Sequence, residues 1–351
     1  MITMADIAKR AGVSRSTASF VLNGREAELR ISEKTRTRVL EAAREMGYRR
    51  NGLARAIGSG KNYVFGYVKV GPSEQEARIL DGVLSESARA GYLVKVLSRG
   101  SEEHYGEVSR NCVEQRLAGL VIRRYANVTE LADLCEELRS YEIPVAFVDD
   151  DLVIPGATCV TSDDDMGTRL AVAHLAELGH RRIVFVAGEA CHRQSRLRTA
   201  SFLSALKEHG FATPPGAVLD AQWDMERVEQ LTLELFQDMD TAPTAVIYEG
   251  DKLAAIGIRT LLKRGLRVPE DVSVVGYGGF SFAGFYNPSI TTIAQPFENM
   301  GRTAVRHLLS YVEERDRAGQ DEGTPSRPVV PNPELLPTQL IAGESTAAPR
   351  T

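Results

Sequence analysis

The chain has 351 residues, 43% of them hydrophobic and 25% charged, with a formal net charge of −5. This size and balance predict two or three globular domains with sizeable cores, and no apolar run approaches the length that crosses a bilayer. Asp6, Lys9, Arg10 and Arg15 do not fit a secretory leader, and Cys112, Cys135, Cys159 and Cys191 lack the paired spacing of a zinc or disulfide framework, so the expected setting is cytoplasmic.

The charge is unevenly spread. Residues 1–60 hold 12 Lys or Arg against 6 acidic residues, a net +6, which leaves −11 on the remainder. A basic module on an acidic body is the footprint of a protein that meets phosphates at one end, although a solvated basic helix pair carries the same charge.

The opening reads as three short helices. Thr3 and Asp6 have the spacing of a capping box for a helix ending at Ala11, Ser14 caps a second running to Asn23-Gly24, and Ser32 caps a third from Glu33 to Met46. Ile7, Ala8, Ala11, Val13, Ala18, Val21, Leu22, Val39, Leu40 and Ala43 fall at helical spacing and form the expected core. A tight turn at Gly12-Val13 between two short helices is the layout of a helix-turn-helix. With Ala18, Val21 and Leu22 inward, Arg15, Ser16, Ser19 and Phe20 face the side where a major groove would lie, and Ser14, Thr17 and the helix N-terminus suit phosphates. Arg15 carries the fork that reads guanine O6 and N7. The same residues also fit a helical hairpin docked on a larger body.

After Gly52, Gly58 and Gly60 the texture changes. Apolar runs at 64–70, 93–97, 119–122, 145–148, 183–187, 218–220, 245–248 and 272–275 alternate with amphipathic helices. Such runs predict parallel strands covered on both faces. Eight of them exceed one open sheet, so two doubly wound subdomains are expected, with a ligand between them at the carboxyl ends of the strands. The Pro- and Gly-rich stretch from Arg317 to Pro337 reads as a loop before a last strand, Gln339–Ala342.

Fragments that suggest an enzyme fail on inspection. Gly58-Ser-Gly-Lys61 resembles a phosphate loop, but Arg55 and Asn62 stand where a leading Gly and a Ser/Thr are needed. Gly276-Tyr-Gly278 has Ser281 in place of the third Gly of a dinucleotide fingerprint. The six histidines show no metal-ligand spacing, Asp163-Asp-Asp165 reads as a helix cap, and there is no nucleophile–base set. No enzyme activity, cofactor or metal is expected.

The segments Met4–Ser14, Thr17–Gly24, Ser32–Ala43 and Met46–Arg49 resemble the head of the LacI/GalR (lactose repressor) family, and Asn51–Ile57 resembles its hinge. Asp163–Gly167, His174-Leu175, Leu178–Ile183, Val268–Tyr277, Thr291–Pro296 and Glu344–Thr346 follow in the family's order, so the resemblance spans essentially the whole chain. It implies an all-α helix-turn-helix head and an α/β periplasmic-binding-protein-like body of two doubly wound parallel-sheet subdomains. The implied division is 1–49 for the head, 50–60 for a hinge helix and linker, and 61–351 for effector binding and dimerisation. Within the body the N-subdomain would take about 61–160 and 296–325, and the C-subdomain about 161–291 with the C-terminal strand.

The function so implied is a sequence-specific transcriptional regulator, a repressor, acting as a homodimer on pseudo-palindromic double-stranded operator DNA. A small-molecule effector would control its affinity: a sugar or sugar derivative, with a phosphorylated, acidic or other molecule, or no effector at all, left open by the residues. DNA contacts would come from Ser14, Arg15, Ser16, Thr17, Phe20 and Asn23 of the head and from Leu53, Ala54, Arg55 and Ile57 of the hinge, with Ile57 as the apolar wedge in the minor groove. Effector contacts would come from Asp149, Arg198, Trp223, Asp251, Tyr277 and Phe297, with Pro72 and Ser73 at the mouth. On residue type alone, a single Trp is more readily a core ring than a ligand contact. The chain departs from the family at Phe20, where Arg is common, at Gly278-Gly279, where an Asp bonds effector hydroxyls, and at Asp251-Lys252, where Asn-Asp is common. The alternative is a solute-binding protein of the transport class without a transcriptional role, against which residues 1–57 argue.

Overall fold

The structure is a computed structural model that describes residues 2–22, 29–48, 62–69, 71–98, 105–123, 128–150, 152–318 and 332–350. It forms two compact units, Met1–Tyr63 and Val64–Thr351.

In the first unit, helices α1 (Met4–Ala11), α2 (Arg15–Leu22) and α3 (Glu33–Glu45) enclose a small core. The expected capping box forms: the Thr3 side chain accepts from Asp6 N, and the Asp6 carboxylate accepts from Thr3 N at 2.8 Å. Gly12 closes α1 with φ 62°, a left-handed conformation that glycine adopts without steric cost. Ser14 starts α2 by accepting a 3.0 Å bond from Thr17 N. Ile7, Ala8, Ala11, Ala18, Val21, Leu22, Val39, Ala42 and Ala43 are buried, and Val13 packs at the edge. Leu40, expected inside, is 38% exposed; the 3.6-residue repeat from Val39 returns to the core at Ala42 and Ala43, which turns position 40 outward. An Arg10–Glu45 ion pair at 2.7 Å fastens α1 to α3.

The second unit contains two six-stranded sheets. Its chain order is β1 (Val64–Lys69), α4 (Glu74–Arg89), β2 (Leu93–Ser98), α5 (Gly106–Glu114), β3 (Gly119–Arg123), α6 (Val128–Ser140), β4 (Val145–Val148), β5 (Ala157–Ser162), α7 (Asp164–Glu177), β6 (Ile183–Ala187), α8 (Arg193–Glu208), β7 (Val218–Asp220), α9 (Met225–Leu235), β8 (Ala245–Tyr248), α10 (Asp251–Lys263), β9 (Ser273–Gly278), α11 (Ser281–Phe285), β10 (Thr291–Ala294), α12 (Phe297–Ala318), β11 (Glu334–Leu336) and β12 (Gln339–Ile341). The first sheet runs β2-β1-β3-β4-β5-β11 and is wholly parallel; the second runs β7-β6-β8-β9-β10-β12 and is parallel except for β12. Core clusters cover both faces of each sheet, which is why the strands read as continuous Val/Ile runs.

Three strands lie outside the expected eight and the expected last one. β5 (Ala-Thr-Cys-Val-Thr-Ser) and β10 (Thr-Thr-Ile-Ala) carry too few apolar residues to stand out, and β11 lies inside the stretch expected to be a loop. Sheet pairing, not local composition, makes them strands. The final strand ends at Ile341, one residue short of the expected Ala342.

The chain crosses between the sheets at β5–α7, β10–α12 and β11–β12, and the crossings bond to one another. Asp163 N donates to Leu336 O at 2.8 Å, and Gln295 Nε2 donates to Ser162 Oγ at 2.9 Å. Helix α12 packs along α4 at the first sheet. Their backbones meet there at glycines: a Cβ on Gly82 would run into the Glu298 carbonyl, and one on Gly301 into that of Ile79.

Candidate effector site and DNA-reading helix

In each sheet one strand has neighbours reached by opposite crossovers: β1 lies between β2 and β3, and β6 between β7 and β8. Connections leave such a strand in opposite directions and open a crevice at its carboxyl end, where open α/β sheets bind ligands. Both crevices hold clusters of charged side chains.

At the first sheet, Arg123 ends β3 and reaches the Asp149 carboxylate at 3.0 Å and that of Glu76 at 3.6 Å. Tyr67, from β1, donates its phenol proton to Glu76 at 2.8 Å, and Gln75 Nε2 donates to Asp149. Burial pushes the Asp149 carboxyl above the usual carboxylate range, against the pull of Arg123. Burial, then Glu76, push the Tyr67 phenol well above its usual range, so it stays a proton donor.

At the second sheet, Arg198 of α8 bonds the Asp164 carboxylate at 3.0 Å and the Glu249 carbonyl at 3.2 Å, and lies 3.8 Å from the centre of the Tyr277 ring. Tyr277 donates to Asp164 at 2.9 Å. The Glu249 carboxylate accepts from Ser195 Oγ at 2.6 Å and from Gly188 N at 2.5 Å. Trp223 stands beside this cluster with its indole against Gly188, directly after β6, and Gly250, two residues after β8. A Cβ at Gly250 would fall 2.8 Å from the ring, and one at Gly188 would overlap it. Both positions need glycine because the ring occupies the space. The ring remains 39% exposed, an unusual state for the largest apolar side chain in the protein.

The two clusters meet across the cleft: Gln194 Nε2 of α8 donates to the Asp149 carbonyl at 3.1 Å. Asp149 and Trp223 both have left-handed backbones, with φ 57° and 55°. For Trp in particular that conformation carries strain, which persists where the surrounding structure imposes it and gathers at ligand clamps.

The sequence-derived candidates therefore separate. Asp149, Arg198, Trp223 and Tyr277 come together in the cleft. Ser73 is exposed and caps α4 through Glu76 N at 3.2 Å, with Pro72 beside it at the rim. Asp251 is fully buried, and its carboxylate accepts from Thr292 Oγ1 at 2.5 Å and from Phe280 N at 2.8 Å, so it holds the loop after β9. Phe297 is also fully buried and stacks on Phe280, with Arg78 over its ring. Reasoning from residues missed Glu76, Arg123, Asp164 and Glu249. Asp163 does cap α7, by accepting from Met166 N, whereas its neighbour Asp164 turns into the cleft.

In the first unit, α2 presents exposed Arg15 and Ser16, with Thr17 and Phe20 half-buried. The Ser14 hydroxyl lies 2.8 Å from those of Ser16 and Thr17, so it is engaged in capping as well as facing outward. The expected contacts at Asn23, Leu53, Ala54, Arg55 and Ile57 lie outside the described residues.

A capped helix-turn-helix joined to a two-sheet body with a cleft defines a class: ligand-responsive DNA-binding regulators. Residues 3–51 match the model described as bacterial regulatory proteins, lacI family, and residues 172–346 match a periplasmic binding protein-like domain. The lactose operon repressor of Escherichia coli (strain K12) is 29% identical over all of this chain and 92% of its own length. The transcriptional repressor PurR of Aliivibrio salmonicida is 28% identical, covering 90% and 93%. Among solved structures, a lac repressor dimer bound to operator and the anti-inducer ONPF superposes with a TM-score of 0.73 at 28% identity over 99% of both chains. A complex of the regulator CelR with cellobiose gives 0.66 at 25% identity, covering 98% and 100%. The chain belongs to the LacI/GalR family of transcriptional regulators.

Proposed function

We propose that this protein is a cytoplasmic, homodimeric repressor that binds a pseudo-palindromic operator and releases or tightens its grip when a small polar molecule fills the body's cleft. The observation that carries the reading is the joining, in one chain, of a Ser14-capped α2 presenting Arg15 and Ser16 to a body whose strand ends converge on Asp149, Arg198 and Trp223. A transport-class binding protein has no use for the first unit. The relatives bear on the partners: the lac repressor is a dimer on operator in the presence of a small molecule, and CelR holds cellobiose. A sugar or sugar derivative is the corresponding effector class here, and residues 1–49, 50–60 and 61–351 serve as reader, hinge and sensor.

In this reading Arg15, Ser16 and Phe20 face base edges, Ser14 and Thr17 face phosphates, and Ile57 wedges the minor groove with Leu53, Ala54 and Arg55 around it. Phe20 offers a thymine methyl an apolar surface in place of a polar contact. A two-fold dimer reads half-sites about one helical turn apart. Selection of bound duplexes from a random pool, followed by anisotropy titrations, tests the reading. Enrichment of a two-fold motif whose affinity shifts about five- to hundredfold with an effector is expected. Enrichment of no motif, with or without small molecules, overturns it. Ile57→Ala should weaken motif binding while largely sparing random duplexes; an equal loss on both removes the wedge role.

A further inference from the structure

The cleft's charges do not balance. Among the described residues its walls hold four buried carboxylates, Glu76, Asp149, Asp164 and Glu249, and only two guanidinium groups, Arg123 and Arg198, each already set between two of those carboxylates. With all four ionised, two negative charges are left over where water is largely excluded; buried charge without a counter-charge is costly, and the raised Asp149 carboxyl reflects that cost. A second, independent feature points to a bound molecule. The Arg198 side chain is 7% exposed, its terminal nitrogens bond Asp164 and the Glu249 carbonyl, yet its buried Nε–H has no hydrogen-bond partner. A native protein rarely leaves such a donor unmet, and a bound molecule that brings an acceptor oxygen satisfies it. The third feature is the exposed Trp223 ring beside Glu249, a surface that takes either the C–H face of a sugar or a cation.

We infer that the effector is a hydroxylated small molecule carrying a positive charge, of which an amino sugar or an amino polyol is the simplest form. This rests on the effector reading above and narrows it. A hydroxyl oxygen supplies the acceptor for Arg198 Nε–H, and the ammonium group supplies the counter-charge for the surplus carboxylates. A phosphorylated or acidic ligand meets the reverse situation, because both guanidinium groups are already matched and its own charge adds to the excess. A neutral sugar satisfies the hydrogen bond but seals the surplus charge beneath it.

The test uses the full chain in thermal-shift and calorimetric titrations against matched sets on one scaffold: glucose, glucosamine and glucose 6-phosphate, the galactose counterparts, and glucitol with 1-amino-1-deoxyglucitol. Expected is stabilisation by the amines, at least tenfold tighter binding than by their neutral partners (about 1.4 kcal/mol), no response to the phosphates, and binding that weakens as salt is raised. Glu76→Gln should erase most of the amine's advantage; because Tyr67 leans on Glu76, Asp149→Asn provides a second variant, and each unliganded melting temperature reports whether the fold survives. Hits confined to neutral or phosphorylated members, or an amine advantage unchanged in both folded variants, overturn the inference and leave the effector reading standing. A panel that shifts nothing, alongside operator binding indifferent to every compound, overturns both.

Discussion

The two sheets end in the same ingredients, an arginine, two carboxylates and a tyrosine, used differently. At the first sheet Arg123 keeps 21% of its side chain exposed and its partner Asp149 sits on strained backbone at the cleft wall. At the second, Arg198 keeps 7%, is stacked on Tyr277, and binds Asp164, which lies immediately after the β5–α7 crossing. One cluster is the more exposed, at the cleft wall; the other is a buried strut beside the crossings. The lesson is that an arginine in a cleft must be judged by what already holds it.

Replacing Arg198 should break this contrast most severely. Arg198→Ala leaves Asp164 and Glu249 buried without their cation, a loss of about 3–5 kcal/mol, read as a lower denaturation midpoint; a midpoint close to wild type would show that the strut is dispensable. Arg123→Ala should cost less, about 1–3 kcal/mol, since Tyr67 and Gln75 still bond Glu76 and Asp149; if it cost as much as Arg198→Ala, the two clusters would be equivalent. Trp223→Ala should change stability by about 1 kcal/mol while weakening effector binding at least tenfold. Because Trp223 is the single Trp, its fluorescence reports the same event in the wild type, and an emission spectrum unmoved by a bound effector would place the ligand elsewhere. The smallest effect concerns pH. Asp149 has a folded-state pKa raised by burial, with Asp164 adding to it, so its folded form favours the proton. Its contribution to stability is present below the unfolded value near 3.9 and is lost as pH rises through the raised folded value. Melting curves of wild type and Asp149→Asn should therefore converge toward acid and separate toward neutrality, and parallel curves would show that Asp149 does not titrate across that window.

The head was almost fully legible because its determinants are local. Thr3 with Asp6, Gly12, Ser14 and Ser32 act on neighbours within a few residues, and each forms the cap or turn its spacing implies. In the body, strands built from uninterrupted Val/Ile runs could be read, whereas β5, β10 and β11 are Thr-rich or very short and exist through pairing with distant strands. The site was legible only in part. Glu76 stands in a charged helix start and Asp164 in a run of three aspartates, and both look like solvated surface until the fold buries them. Arg123, Asp149 and Glu249 did carry a signal: each charge falls at, or directly after, the end of a parallel strand, where a doubly wound sheet places its crevice. Asp251 lies two residues beyond Glu249, at the start of α10, and has a different task, since Thr292 and Phe280 lie within its reach.

The glycine contact between α4 and α12 has a mechanical consequence. Helices that touch through main chain have no side-chain cushion to absorb a push. The first turn of α4 carries Gln75 and Glu76 into the cleft, and α12 begins at Phe297, just past the crossing that Gln295 ties to Ser162. A guest that displaces that turn therefore moves two long helices as one lever, and the strokes arrive undamped where the chain passes between its sheets.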